Sequence, residues 1–132
     1  MRLVLLILTL GLFSFSTPFS PDPAKNILGG NWVGAYGNTE VINHLSLVFV
    51  ASNQIRLSGN YGNAIFESDG TYQLTGDSTI TITCRLFKNI NKNFVLKGLL
   101  NKPKTFTDGE WEITGTTDKG SFYLQKNNTT GY

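Results

Sequence analysis

The sequence contains few of the residues that build catalytic and metal sites. Its 132 residues include one cysteine, Cys84, and one histidine, His44. One cysteine excludes an internal disulfide, and one histidine excludes a metal site made of several histidines. A serine–histidine–acid arrangement would have to use His44, and the sequence has no G-x-S-x-G motif, P-loop or G-x-G-x-x-G motif. We therefore predict a non-enzymatic protein with no catalytic residues, no metal site and no cofactor.

Charged residues are also scarce, at 15% of the chain, and 11 Lys and Arg against 9 Asp and Glu give a net charge of +2. This low charge, together with 40% hydrophobic residues, excludes intrinsic disorder and a coiled coil. A protein that binds nucleic acid through its phosphates is usually strongly basic, so no nucleic-acid partner is expected. The length allows one domain.

Only one long hydrophobic run is present, and it lies at the N-terminus. Arg2 supplies a positive charge, residues 3–13 are almost wholly apolar, and Ser14 and Ser16 provide small residues for cleavage. We predict a signal peptide over residues 1–16, and hence a secreted or periplasmic protein with no integral membrane segment after cleavage. The alternative is an uncleaved anchor, since residues 3–20 just reach the length that spans a bilayer. Residues 17–29 contain three of the four prolines and form a lead-in segment.

From residue 30 onward, apolar and polar residues alternate, which predicts β-strands. Glycine or asparagine interrupts every stretch that could form a helix of three turns. We predict eight strands, at residues 31–37, 44–51, 54–61, 65–75, 78–87, 93–101, 109–117 and 120–126. Asp69-Gly70 marks a place where the fourth strand could bulge or split into a hairpin. The connections are short, so consecutive strands are expected to pair antiparallel.

One face of these strands is apolar and forms the predicted core. Its members are Trp32, Tyr36, Leu45, Leu47, Phe49, Ile55, Leu57, Tyr61, Tyr72, Leu74, Ile80, Ile82, Leu86, Phe94, Leu96, Leu100, Trp111, Ile113, Phe122 and Leu124. Cys84 shares this face with Ile80 and Ile82, so we interpret it as a buried small hydrophobic residue rather than a reactive thiol.

Five glycines fall on the same apolar face: Gly34, Gly59, Gly76, Gly98 and Gly115. Glycine inside a strand loses packing and costs entropy, so a set on one face indicates strands that bend sharply. Small closed barrels need such bends. The sequence therefore favours an all-β fold, an eight-stranded antiparallel up-and-down barrel over residues 30–126, rather than two packed sheets. Residues 127–132 form a C-terminal tail.

The start of the first strand, Gly30-Asn31-Trp32, matches the G-x-W motif of lipocalins and related calycin barrels. The longer pattern Gly30-x-Trp32-x-Gly34-x-Tyr36, with Leu57-x-Gly59-x-Tyr61 and the closing run from Gly120 to Lys126, resembles small exported bacterial lipocalin-like barrels. Lipocalins usually place an arginine over the motif tryptophan just after the last strand, and Lys126 holds that place here. The resemblance thus implies that Trp32 and Lys126 close one end of the barrel. The chain is shorter than a typical lipocalin and lacks the C-terminal helix of that family.

The resemblance also implies that the barrel binds a small hydrophobic molecule in its interior or mouth. Tyr36, Tyr61, Tyr72 and Trp111 are the candidate ligand-binding residues, because a hydroxyl or indole N–H on an inward-facing ring can orient a guest. The alternative is that these rings simply fill the barrel. An eight-stranded interior is only just wide enough for its own side chains or for one small ligand.

Some apolar residues fall on the outward face: Val48, Val50, Phe87, Val95 and Leu99. They are either scattered surface residues or a patch that docks a second copy or another protein. The alternative function is therefore that of a filled barrel that acts as a protein-interaction or inhibitor module, through its loops or an exposed apolar face, with a homo-oligomer as one form.

Overall fold

The computed structural model describes residues 28–85 and 92–127, which form a closed barrel. Its eight strands are β1 (Asn31–Gly37), β2 (Ile42–Ala51), β3 (Gln54–Tyr61), β4 (Ala64–Thr75), β5 (Thr79–Arg85), β6 (Asn93–Leu100), β7 (Phe106–Ile113) and β8 (Lys119–Lys126). Each strand pairs antiparallel with the next, and β1 also pairs with β8, which closes the ring. The predicted fold class, an all-β, eight-stranded antiparallel up-and-down barrel, is confirmed. No helix among the described residues is long and apolar enough to cross a membrane.

The strand boundaries differ from the predictions chiefly at β7. This strand begins at Phe106 and ends at Ile113, whereas residues 109–117 were predicted. The strand ends early because residues 114–117 form a turn in which Gly115 has a φ of +75°, a left-handed conformation that favours glycine. The run of threonines around Gly115 has the composition of a strand, which misled the prediction.

The fourth strand is continuous through Asp69 and Gly70, so it neither splits nor bulges there. The irregularity lies instead in β2, between Phe49 and Ala51, where the register shifts. The predicted end of the fifth strand, including Leu86 and Phe87, lies outside the described residues.

The core follows the predicted alternation. Every predicted core residue in the described ranges is buried except Tyr61 and Leu74, which are partly buried and pack against the rest. Cys84 is buried as predicted, and Leu28 and Phe66 join the core. Inward and outward side chains alternate along every strand of a barrel. Once one residue of a strand is assigned to the inside, the orientation of the other residues of that strand follows.

The glycine prediction is right at three positions and wrong at two. Gly34, Gly59 and Gly98 lie at inward positions and leave room for a neighbouring strand: a Cβ on Gly34 would lie 1.9 Å from the carbonyl oxygen of Tyr123. Gly76 and Gly115 lie in turns with φ of +63° and +75°, and a Cβ on either would meet nothing within 4 Å. Their alternation with apolar residues is therefore coincidental.

The outward apolar residues do not form the single face that the sequence suggested. Val48 and Val50 lie on β2, whereas Val95 and Leu99 lie on β6, and three strands separate β2 from β6 in either direction around the ring. The proposed Val48/Val50/Val95/Leu99 patch is thus divided between opposite sides of the barrel.

The inner surface contains one polar residue without a partner. Thr107 on β7 is 1% exposed, and its hydroxyl has no hydrogen-bond partner in the described part of the chain. Its cross-strand neighbours are Leu100 and Leu124, both buried and apolar. A buried hydroxyl that makes no hydrogen bond costs free energy, because it has lost its bonds to water.

Replacing this hydroxyl with a methyl group should stabilise the barrel. We expect Thr107→Val to raise the free energy of unfolding by about 1 kcal/mol, measured by urea denaturation. Thr81→Val, at an outward position on β5, is the matched control and should change it by less than about 0.5 kcal/mol. A loss of stability in Thr107→Val would show that the hydroxyl has a partner, such as an internal water.

Candidate functional site

The predicted ligand contacts lie in two aromatic clusters, one at each end of the barrel. We call the end with the β1–β2, β3–β4 and β7–β8 turns the hairpin end. The opposite end, at which the first strand begins and the last strand ends, is called the terminus end. At the hairpin end, the ring centroid of Tyr36 lies 5.0 Å from that of Phe94 and 5.1 Å from that of Trp111, in edge-to-face contacts. Phe66 continues this cluster, 6.0 Å from Phe94. Such geometry is favourable for aromatic pairs.

The polar groups of Tyr36 and Trp111 bond to the backbone of the barrel itself. The Tyr36 hydroxyl donates to the carbonyl oxygen of Asn60, and the Trp111 indole N–H donates to that of Gly37 at 2.9 Å. Burial, with smaller contributions from Tyr61 and Cys84, raises the pKa of Tyr36. The Tyr36 hydroxyl therefore stays protonated and acts as a donor within the core.

Tyr61 lies at the rim of the hairpin end and is only partly buried. Its hydroxyl donates to Oδ2 of Asp118 at 2.8 Å, which ties the end of β3 to the β7–β8 turn across the barrel mouth. The hydrogen bond to Asp118, with smaller effects of burial and of the Asp118 charge, raises the pKa of Tyr61. Tyr61 thus acts as a strap between two turns that are far apart in sequence.

Tyr72 belongs to the terminus end. Its ring packs edge-on against Phe49 at 4.8 Å, and its hydroxyl donates to the carbonyl oxygen of Ser52 at 3.0 Å. Trp32 lies in the same cluster, 6.0 Å from Phe49, and its indole N–H donates to the carbonyl oxygen of Leu28 at 2.9 Å.

Lys126 pairs with Trp32 in the β1–β8 register and is partly buried at the same end. This pairing puts the two residues where the resemblance expects them. Their role in closing the barrel stays a prediction.

The structure therefore brings Tyr36, Tyr61 and Trp111 to one end of the barrel and Tyr72 to the other. All four polar groups bond to the chain itself. Their roles as ligand contacts stay predictions, but the four residues do not surround one common space.

A second candidate site, which the sequence reasoning missed, is a groove on the outer surface. It has a volume of about 970 Å³ and crosses β1, β8, β7 and β6. Its apolar lining includes Ala35, Ile42, Leu99, Phe106 and Tyr123. Ile42 is 80% exposed, Leu99 63% and Tyr123 48%.

The groove forms where the strands approach one another closely. Gly98 on β6 and Gly109 on β7 are direct cross-strand partners, and a Cβ on Gly109 would lie 2.1 Å from the carbonyl oxygen of Lys97. The groove passes over this glycine pair, whose missing side chains let the two strands approach closely.

This groove was missed in the sequence because the second and seventh strands were predicted to start too late. Ile42 and Phe106 each fell just before a predicted strand start, so neither was assigned to the outward face. The sequence could have revealed Phe106, because it lies two residues before Asp108 and so continues the outward positions of β7. Joining these residues to Leu99 and Tyr123 also requires the strand order, which the barrel closure supplies.

Two aromatic rings stack within the groove. Phe106 on β7 and Tyr123 on β8 have ring centroids 6.3 Å apart and planes inclined by 18°. The charged residues of the lining are Lys97, Asp108 and Glu110. The groove thus combines exposed apolar and aromatic surface with a few charges, the composition of many ligand sites.

The described residues contain no group of three or more His, Cys, Asp and Glu side chains that could hold a metal ion. Burial raises the pKa of the Cys84 thiol to about 12, so this cysteine is a poor nucleophile at neutral pH. His44 is exposed on β2.

The fold defines the class of protein: an eight-stranded antiparallel barrel consistent with a calycin-like fold. Comparisons with family models, with curated proteins and with solved structures found no match to this chain. The fold class consequently stands without assignment to a family.

The bond between Tyr72 and Ser52 predicts that the Tyr72 hydroxyl contributes to stability. We expect Tyr72→Phe to lower the free energy of unfolding by about 0.5–1.5 kcal/mol, measured by urea denaturation, since it leaves a part-buried carbonyl without its donor. Tyr123→Phe removes an exposed hydroxyl and should change stability by less than about 0.5 kcal/mol. Unchanged stability in Tyr72→Phe, with weaker binding of an aromatic ligand, would instead favour a ligand-orienting role.

Proposed function

We propose that this protein is an exported, non-enzymatic lipocalin-like barrel that binds a small apolar or aromatic ligand, and that the ligand occupies the outer groove. The observation that carries the proposal is a groove of about 970 Å³ lined by exposed Leu99, Ile42 and Tyr123. Pockets for small ligands have volumes of roughly 300–1,000 Å³. Such pockets are lined mainly by apolar and aromatic side chains with a few polar groups, as this groove is.

The interior is the weaker candidate because its aromatic polar groups bond to the chain. A guest oriented by Tyr36 or Trp111 would have to displace hydrogen bonds to Asn60 or Gly37 and separate rings packed at about 5 Å. Each broken bond would leave a backbone carbonyl without its donor, which is costly inside a protein. This supports the alternative in which the barrel is filled by its own side chains.

The proposed export rests on the N-terminal sequence alone. A positive charge, an apolar run and small residues over residues 1–16 have the composition of a signal peptide. We propose a secreted or periplasmic location on that ground.

A protein partner is the second candidate occupant of the same groove. The grouping of Ile42 and Leu99, 80% and 63% exposed, in one groove favours it, because apolar side chains exposed next to one another are the kind of surface that docks a second copy or another protein. In that case the protein would act as an interaction or inhibitor module.

The groove predicts saturable binding of a neutral aromatic probe. We expect N-phenyl-1-naphthylamine to gain fluorescence on binding, and Leu99→Ser to weaken its affinity about fivefold through lost apolar contact. Ile65→Ser is the matched control, since Ile65 is 83% exposed on β4 and lies outside the groove lining.

Equal affinities in the wild-type protein and in Leu99→Ser would contradict a ligand site in the groove. Light scattering on the wild-type protein and on Leu99→Ser tests the second candidate occupant, a protein partner. A wild-type oligomer that Leu99→Ser dissociates, with no probe binding, would favour a second copy as the partner.

A further inference from the structure

Three charged side chains line the outer groove, Lys97, Asp108 and Glu110, and they carry one net negative charge. Lys97 on β6 lies directly opposite Glu110 on β7 in the strand register. Asp108 lies two residues before Glu110 on the same face of β7, opposite Leu99 on β6 and Tyr123 on β8. The cross-strand neighbours of Asp108 are thus apolar or aromatic rather than basic.

Asp108 has no cationic side chain within 4.0 Å in the described part of the chain. The ion pairs found there both belong to Arg56, which lies 3.6 Å from Glu67 and 3.1 Å from Asp69 on another part of the barrel. A carboxylate with apolar and aromatic cross-strand neighbours attracts a cation, and the apolar surface beside it attracts a cation that carries an apolar body. The charge of Asp108 therefore complements that kind of ligand.

The stacked rings of the groove favour the same chemistry independently. Tyr123 is 48% exposed, stacks on Phe106 and is a direct cross-strand neighbour of Asp108. The face of an aromatic ring attracts an ammonium group through its quadrupole. A carboxylate and an aromatic ring side by side thus both select a positive charge.

We propose that the outer groove takes an organic ammonium ion with an apolar or aromatic body. Its ammonium group lies between the carboxylate of Asp108 and the ring of Tyr123, and its body lies along Leu99, Ala35 and Ile42. This inference rests on the proposed function, because it names the ligand class of the same groove.

Three probes with one shared body test the inference: 4-phenylbutylammonium, 4-phenylbutanol and 4-phenylbutanoate, titrated calorimetrically at neutral pH. We expect the ammonium ion to bind about fivefold more tightly than the alcohol, because an exposed ion pair and a cation–π contact each contribute only modestly. The carboxylate should bind most weakly. Raised salt should reduce the advantage of the ammonium ion without affecting the alcohol.

Two variants that each remove one carboxylate test whether Asp108 causes the preference for the ammonium ion. Asp108→Asn should abolish the difference between the ammonium ion and the alcohol, whereas Asp69→Asn, which removes a carboxylate bonded to Arg56 elsewhere, should preserve it. Equal binding of all three probes, or a difference that survives Asp108→Asn, would overturn the inference while leaving apolar binding in the groove intact. Absence of binding by every probe would overturn the proposed function as well.

Discussion

The closure of the ring between β1 and β8 is the constraint on which the rest of the structure depends. Both seam strands carry a glycine that faces the other strand closely. A Cβ on Gly34 would lie 1.9 Å from the carbonyl oxygen of Tyr123, and a Cβ on Gly120 would lie 1.9 Å from that of Gly37. Any other residue at either position would push the first and last strands apart. Closure removes the exposed strand edges that would otherwise pair with other chains.

Closure also determines how the interior is filled. Because Gly120 has no side chain, the indole of Trp111 lies over it and reaches the carbonyl oxygen of Gly37. The same ring packs against Tyr36 and Phe94, so one glycine at the seam supports the whole hairpin-end cluster. In this cluster the Tyr36 hydroxyl and the Trp111 indole N–H are already bonded to backbone carbonyl oxygens.

Much of the barrel could be predicted from the sequence, because apolar and polar residues that alternate along a strand also alternate between the inside and the outside of the barrel. Leu45, Leu57 and Ile82 were assigned to the core from alternation alone, and each is fully buried or nearly so. The inward assignment was wrong for Gly76, which directly follows the predicted fourth strand, and for Gly115, which was placed inside the seventh. Alternation alone does not distinguish a strand glycine from a turn glycine, because the two differ in φ rather than in pattern. Hydrogen-bond partners such as Asn60 for Tyr36 could not be predicted either, since they depend on which backbone carbonyls the folded strands bring within reach.

The outer groove shows a second limit of sequence reasoning. Ile42, Leu99 and Tyr123 look like isolated surface residues when each strand is considered alone, and isolated apolar residues on a surface need no explanation. They become neighbours only because β1 pairs with β8, so that β2, β1, β8, β7 and β6 follow one another around the closed ring. Gly98 and Gly109 belong to the lining of this groove, and a Cβ on them would lie 2.7 Å from the carbonyl oxygen of Asp108 and 2.1 Å from that of Lys97. The outer surface over these glycines therefore depends on the same close approach of β6 and β7 that shapes the interior, and the pattern of each strand alone does not show it.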